Sequence, residues 1–270
     1  MLKDLWKECK TKIAISFFLV FSFWWLTIQR LPLYSPIRDY FAGSYTIMAL
    51  LGFYWGLKIM RHWGSYKSIL GRAILMFSLG LLAQSFGQLS YTYYVVIQHI
   101  EVPYPSIGDI GYFGSIFFYL YGTILLAKAS GISFSLKNFK NKIISIIVPL
   151  FMLTYSYFLF LKDYQFDFSK ALTVFLDFGY PLGQTFYISI TLLSFLLTKK
   201  LLGGIMKYRI VFIFFALLLQ YLSDFNFLFQ NSHESWITGA YGDYLYLIAY
   251  FVMTLALLQF NIAFKQLKET

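Results

Sequence analysis

Apolar residues fall in long blocks along the chain, and polar residues gather in the short intervals between them. Eight blocks, at about 13–28, 42–60, 70–98, 107–128, 143–161, 172–197, 210–230 and 241–264, approach or exceed the length a bilayer requires. A hydrocarbon core of roughly 30 Å takes about 20 mostly apolar residues in a helix. The pattern therefore predicts an all-α polytopic transmembrane bundle of eight helices, with residues 1–270 forming a single integral membrane domain. The first block is short, and the third is long enough to tilt or to project beyond the membrane.

Composition strengthens this picture: 59% of residues are hydrophobic, 22% aromatic and only 13% charged, too apolar for an ordinary soluble domain. The net charge of +10 would suggest an anionic partner in a soluble protein. Its distribution instead fixes topology. Lys3, Lys7, Lys10 and Lys12 precede the first helix, and Lys58, Arg61, Lys67 and Arg72 surround the turn after the second. Lys128, Lys137, Lys140 and Lys142 follow the fourth helix, Lys199, Lys200, Lys207 and Arg209 the sixth, and Lys265 and Lys268 the eighth. That places 18 of the 22 basic residues on one side and leaves Arg30, Arg38, Lys162 and Lys170 on the other. The basic side is expected to be cytoplasmic, with both termini inside a multi-pass protein of the plasma (inner) membrane. Of the acidic residues, Asp4, Glu8 and Glu269 fall inside and the rest lie in the outer half. No small-residue cleavage site follows the first block, so it is expected to remain as an anchor. A single cysteine, Cys9, excludes an intramolecular disulfide framework and a cysteine-based zinc site.

Ser106-Ile107-Gly108-Asp109-Ile110-Gly111-Tyr112 opens the fourth block, and Ala240-Tyr241-Gly242-Asp243-Tyr244-Leu245-Tyr246 opens the eighth. Each places Gly-Asp at the mouth of a helix and a tyrosine three residues later on the same face. One block upstream lie Gln84 and Gln88 in the first case and Gln220 and Asp224 in the second, followed by His99 and His233. Asp39 and Asp177 stand near the starts of the second and sixth blocks, and Gly64 and Gly203-Gly204 in the basic turns after them. The agreement of these sparse polar positions predicts two parallel four-helix repeats, at about 13–128 and 143–264, related by an axis along the membrane normal.

Asp224 lies 15 residues beyond Arg209, about 22 Å along a helix at 1.5 Å per residue. An aspartate at membrane depth costs about 2.5–3.5 kcal/mol on insertion scales, so Asp224 is expected to face the bundle interior. No Lys or Arg lies well inside a span to pair with it. The missing intramembrane lysine also argues against a retinal Schiff base. On the sixth helix Asp177, Tyr180, Gln184 and Tyr187 form one polar stripe, interrupted by Pro181, which suits a cavity wall or a kink. The candidate ligand-contacting set is Asp39, Gln84, Gln88, Asp109, Tyr112, Asp177, Gln184, Gln220, Asp224, Asp243 and Tyr246. Each has a plainer role beside this one. Ser106-x-x-Asp109 reads as a capping box, the glutamines as interhelical hydrogen-bonding residues, and the tyrosines as interface aromatics. Nucleophile elbows, zinc-binding His-Glu-x-x-His and phosphate loops do not occur. The intramembrane aspartyl protease signature lacks its first glycine at both Gly-Asp pairs, so no catalytic residue, metal ligand or cofactor is expected.

The segment Pro103-Tyr104-Pro105-Ser106-Ile107-Gly108-Asp109-Ile110-Gly111-Tyr112 resembles the Pro-Ser-x-Ala-Asp-x-x-Tyr stretch of multi-helix membrane input regions that precede bacterial diguanylate cyclase or histidine kinase domains. Tyr180-Pro181-Leu182-Gly183 is similar to a Tyr-Pro-Leu element of the same regions. Gly108 departs from the alanine usual there, and the chain ends at Thr270 with no soluble output domain following. The resemblance implies a sensory or ligand-binding membrane domain. Together these readings lead to an outward-facing polar pocket that binds a small ligand or cation and signals to a cytoplasmic or membrane partner, with no role in nucleic-acid binding. A proton- or cation-coupled transporter with Asp224 as carrier, and a ligand-free scaffold in the lipid bilayer, are the alternatives.

Overall fold

Each apolar block becomes a helix because a helix alone satisfies its own backbone polar groups where no water reaches. The structure, a computed structural model, describes residues 5–6, 8–162, 164–198 and 206–269. Lys3, Asp4, Lys7, Lys199, Lys200, Gly203, Gly204 and Thr270 lie outside the described residues. The principal helices are α1 (Cys9–Ile28), α2 (Thr46–His62), α3 (Ile69–Thr92), α4 (Gly108–Ala129), α5 (Phe139–Ser156), α6 (Ala171–Thr198), α7 (Lys207–Ser232) and α8 (Tyr241–Glu269). No strand occurs among the described residues. Seven of the helices are long and apolar enough to cross a membrane, which marks a polytopic membrane protein.

The exception is α2. Its predicted block is divided at Tyr45 into a short helix, Pro36–Ser44, and the 17-residue α2, about 26 Å long. The division has a local cause. Gly43 and Ser44 stand just before the break, a Gly/Ser pair of the kind at which helices kink; the Ser44 hydroxyl donates back to the Tyr40 carbonyl at 2.5 Å, and the side chain of Tyr45 turns into the core at 1% exposure. The Ala42 carbonyl, near the bend, accepts a hydrogen bond from Gln88 Nε2 at 2.7 Å. A glutamine expected to stitch helices together thus serves a backbone acceptor at a helix end.

Helices α3 and α4 run side by side in the closest packing of the bundle, and α3 also packs along α2. A Cβ at Gly111 would stand 2.6 Å from the Gly87 nitrogen, so only glycine permits the α3–α4 approach. Helix α8 packs on both α7 and α2, while α6 packs on α4, α5 and α7. Helix α1 lies against α8, and α5 leans on α6 with most of its surface outward. Helix alternation places the basic turns after α2 and α4 at the same end of the bundle as the C-terminus of α8, and Lys265 near that end pairs with Glu8 just before α1.

Candidate functional site

At the opposite end of the bundle α3, α4, α6, α7 and α8 splay around a cavity of about 480 Å³. It forms because these spans carry polar side chains in their halves at this end, and such groups cannot be closed into a dry apolar core without cost. Towards the basic end the same helices meet directly. A Cβ at Gly122 of α4 would stand 2.7 Å from the Phe77 ring of α3, the Tyr119 and Tyr187 rings of α4 and α6 lie 6.2 Å apart, and Tyr187 donates to the Leu217 carbonyl of α7. Alongside, a Cβ at Gly56 of α2 would stand 3.0 Å from the Ser78 Cβ of α3 and 3.2 Å from Leu257 of α8.

Nine of the eleven expected contact residues line this cavity: Gln84, Gln88, Asp109, Tyr112, Asp177, Gln184, Asp224, Asp243 and Tyr246. Asp39 and Gln220 do not. Asp39 sits in the first turn of the Pro36–Ser44 helix, where a carboxylate favours the helix N-terminus, and partial burial lifts its carboxyl above its ordinary value. Gln220, 1% exposed, stands one turn from Asp224 and donates Nε2 to its Oδ1 at 3.0 Å, so it supports the wall from behind.

Both Gly-Asp aspartates are divided between two tasks. Asp109 Oδ2 accepts the Ser106 backbone N–H at 2.7 Å, and the Gly108 N–H reaches Ser106 Oγ at 3.2 Å, which is the expected capping box. Its other oxygen accepts the Tyr180 hydroxyl of α6 at 2.7 Å. Asp243 repeats the arrangement: Oδ2 accepts the Gly239 N–H at 2.6 Å and Oδ1 the Tyr45 hydroxyl at 2.8 Å. The capping and site roles compete in the sequence but coexist in the fold, one per oxygen.

The partners of α3 and α7 also correspond. Tyr112 donates to Gln88 Oε1 at 2.8 Å, and Tyr246 directs its hydroxyl at Asp224. Gln84 is engaged at both ends, donating to Ser115 at 2.8 Å and accepting from Tyr250 at 3.0 Å. At the cavity mouth Tyr104 and Tyr164 donate to the two oxygens of Asp177 at 2.7 and 2.8 Å. Burial, and then the Asp177 carboxylate, push the Tyr104 hydroxyl up, while its bond to Asp177 raises Tyr164 to about 12. Both therefore stay protonated donors across the physiological range.

Of the sixth-helix stripe, Asp177, Tyr180, Pro181 and Gln184 form wall, whereas Tyr187 lies below the cavity and donates to the Leu217 carbonyl. Tyr45, Tyr91, Tyr104, Tyr164 and Trp236 are wall residues absent from the sequence-derived set. Tyr45 is recoverable in principle: it precedes Tyr180 by 135 residues, within the 134–136 residues that separate the pairs matched between α3–α4 and α7–α8. Matching Asp39 with Asp177 follows charge, the more conspicuous signal, and passes over it. The loop residues Tyr104, Tyr164 and Trp236 carry no periodic signal.

Comparison with known proteins gives no further identification: no family model, no curated protein and no solved structure matches the chain.

Proposed function

We propose that this protein is a membrane-embedded sensory or ligand-binding module built from two parallel repeats, α1–α4 and α5–α8, with its pocket on the outer face and both termini in the cytoplasm. The observation that carries the reading is the convergence of nine polar positions from both halves on one cavity above a packed floor. A closed floor suits a receptor that reports occupancy, and gives no continuous path for a transported solute.

The repeat reading is supported by the reciprocal aspartate–tyrosine pairs. Tyr45 on the first half reaches Asp243 on the second, and Tyr180 on the second reaches Asp109 on the first. Correspondingly, α4 packs on α6 and α8 on α2, so each half's fourth helix meets the other half's second. His99 and Glu234, which stands one residue beyond the His233 matched to His99 by type, both take positive φ, at 55° and 52°, just after α3 and α7. The basic turns at the far end orient the cavity outward, and a partner protein at that end would receive the signal. The resemblance to sensory input regions rests on the Pro103–Tyr112 stretch and on Tyr180-Pro181-Leu182-Gly183, which between them supply Tyr104, Ser106, Asp109, Tyr112, Tyr180 and Pro181 to the wall.

Oriented proteoliposomes test this directly. With Cys9→Ser and Ser232→Cys, a membrane-impermeant maleimide should label the cavity-mouth cysteine from the outer side only. Proton and sodium fluxes, followed with entrapped dyes, should match those of empty vesicles. A flux abolished by Asp224→Asn would replace the sensor with the transporter, and a mouth cysteine reached only from inside would reverse the topology.

A further inference from the structure

Among the described residues the cavity wall carries four carboxylates, Asp109, Asp177, Asp224 and Asp243, and no Lys, Arg or His. The ion pairs among the described residues are Lys170–Asp167 and Lys265–Glu8, and neither involves these four. Each of the four is instead faced by a tyrosine hydroxyl. A neutral donor satisfies lone pairs but does not compensate charge. Each of these carboxyls that is ionised therefore adds negative potential to a recess whose low-dielectric walls focus it.

Three further observations narrow what such a recess accepts. Its walls are rich in π faces, from Tyr112, Tyr180, Phe160, Phe227 and Trp236 among others, and ring faces attract cations. Gln184, only 5% exposed, forms no hydrogen bond within the described residues although it lines the cavity. Buried amides are ordinarily paired, so this one is open to a bound molecule. Finally, no group of three or more His, Cys, Asp or Glu among the described residues is placed to hold a metal ion, and about 480 Å³ is far more room than a bare ion fills.

We infer that the pocket takes an organic ammonium ion with an apolar or aromatic body, its charge among the aspartates and its body against the tyrosine and phenylalanine rings. The inference rests on the outward-opening pocket proposed above and adds the class of ligand. Gln184 would pair with a polar atom of that ligand, and Asp224 at the inner end of the wall would attract its charge.

The test uses the full chain with Cys9→Ser and a reporter cysteine, Leu228→Cys, on the apolar wall. Two thiosulfonate reagents of similar size are compared in oriented proteoliposomes: a trimethylammonium-ethyl reagent and a sulfonato-ethyl reagent, each normalised to its rate with 2-mercaptoethanol. The cationic reagent should modify the reporter thiol at least about tenfold faster than the anionic one. Millimolar phenethylammonium should slow that labelling, whereas its neutral analogue 2-phenylethanol should not. Asp224→Asn, isosteric and checked for folding by circular dichroism, should reduce the charge preference several-fold. Equal normalised rates, or equal protection by amine and alcohol, would overturn the cation assignment and leave the pocket standing. Failure of both reagents from the outer side would instead remove the outward-opening pocket, and the inference with it.

Discussion

Tyr45→Phe and Tyr180→Phe remove one hydroxyl each from equivalent places in the two halves, and they should not cost the same. In the Tyr45–Asp243 pair the residues are 1% and 3% exposed, and Tyr45 is the donor to Asp243 Oδ1. Both pairs border the cavity, but the near-complete cover of Tyr45 and Asp243 leaves the freed acceptor almost no surface on which water can replace the hydroxyl. A hydrogen bond to a charged group contributes about 1.5–3 kcal/mol. Interhelical bonds within bilayers average about 0.6 kcal/mol, because the unfolded chain finds other partners. The depth of burial here places the expected loss near 2 kcal/mol. Tyr180 and Asp109 are both only partly buried, on the cavity wall. A water molecule can take the place of the lost hydroxyl there, and about 0.5 kcal/mol should suffice. Equilibrium unfolding by dodecyl sulfate in mixed micelles, followed by far-ultraviolet circular dichroism, resolves a difference of this size. The double variant Tyr45→Phe with Asp243→Asn should lose less than the sum of its single changes, by about 1 kcal/mol. Equal costs at the two positions, or additivity at Tyr45 and Asp243, would refute the claim that burial sets the strength of these clamps.

Three other outcomes follow from the same geometry. Gly56→Leu should destabilise by at least about 1–3 kcal/mol, because a side chain there drives α2 from Ser78 and Leu257; unchanged unfolding would mean the helices beside the floor are not packed as described. Tyr104→Phe with Tyr164→Phe should release both oxygens of Asp177 and speed modification of a cysteine introduced in place of Leu228 while leaving global stability within about 0.5 kcal/mol; an unchanged rate would deny the mouth any gating role. A cysteine replacing Tyr66, which is exposed in the basic turn after α2, should resist impermeant reagents added outside, and its labelling there would contradict the positive-inside orientation.

Seven of the eight apolar blocks were legible as spans because lipid imposes a length that is written in composition alone; the second, divided at Tyr45, falls short of it. The cavity residues were legible for a related reason. A polar side chain inside an apolar block has few tolerable places, so Gln84, Gln88, Gln184, Asp224 and Asp243 all lie buried at the bundle's interior. Asp39 shows the limit of that logic. It lies at the margin of its block, where solvent and a helix N-terminus offer a carboxylate an adequate site without the interior. The bend at Tyr45 does carry a sequence signal, the Gly43-Ser44 pair just before it, of the kind at which helices kink, but a reading by apolar blocks passes over it; the partner that Tyr45 meets beyond the bend, Asp243, lies 198 residues away.

The two halves are alike in their clamps but unlike in what they leave open. On the first half both amides of α3 are engaged at the nitrogen and at the oxygen, Gln84 by Ser115 and Tyr250, Gln88 by Ala42 and Tyr112. On the second half the position matching Gln88 is Asp224, a charge in place of an amide, and α6 presents Gln184 without a partner among the described residues. An amide can be closed by its neighbours; a carboxylate faced by a tyrosine and a glutamine retains its charge requirement. A bound cation would therefore change the energy of the second half more than the first. On the proposed reading, occupancy should alter the contacts of α6 and α7 more than those of α3 and α4, whose amides are already engaged.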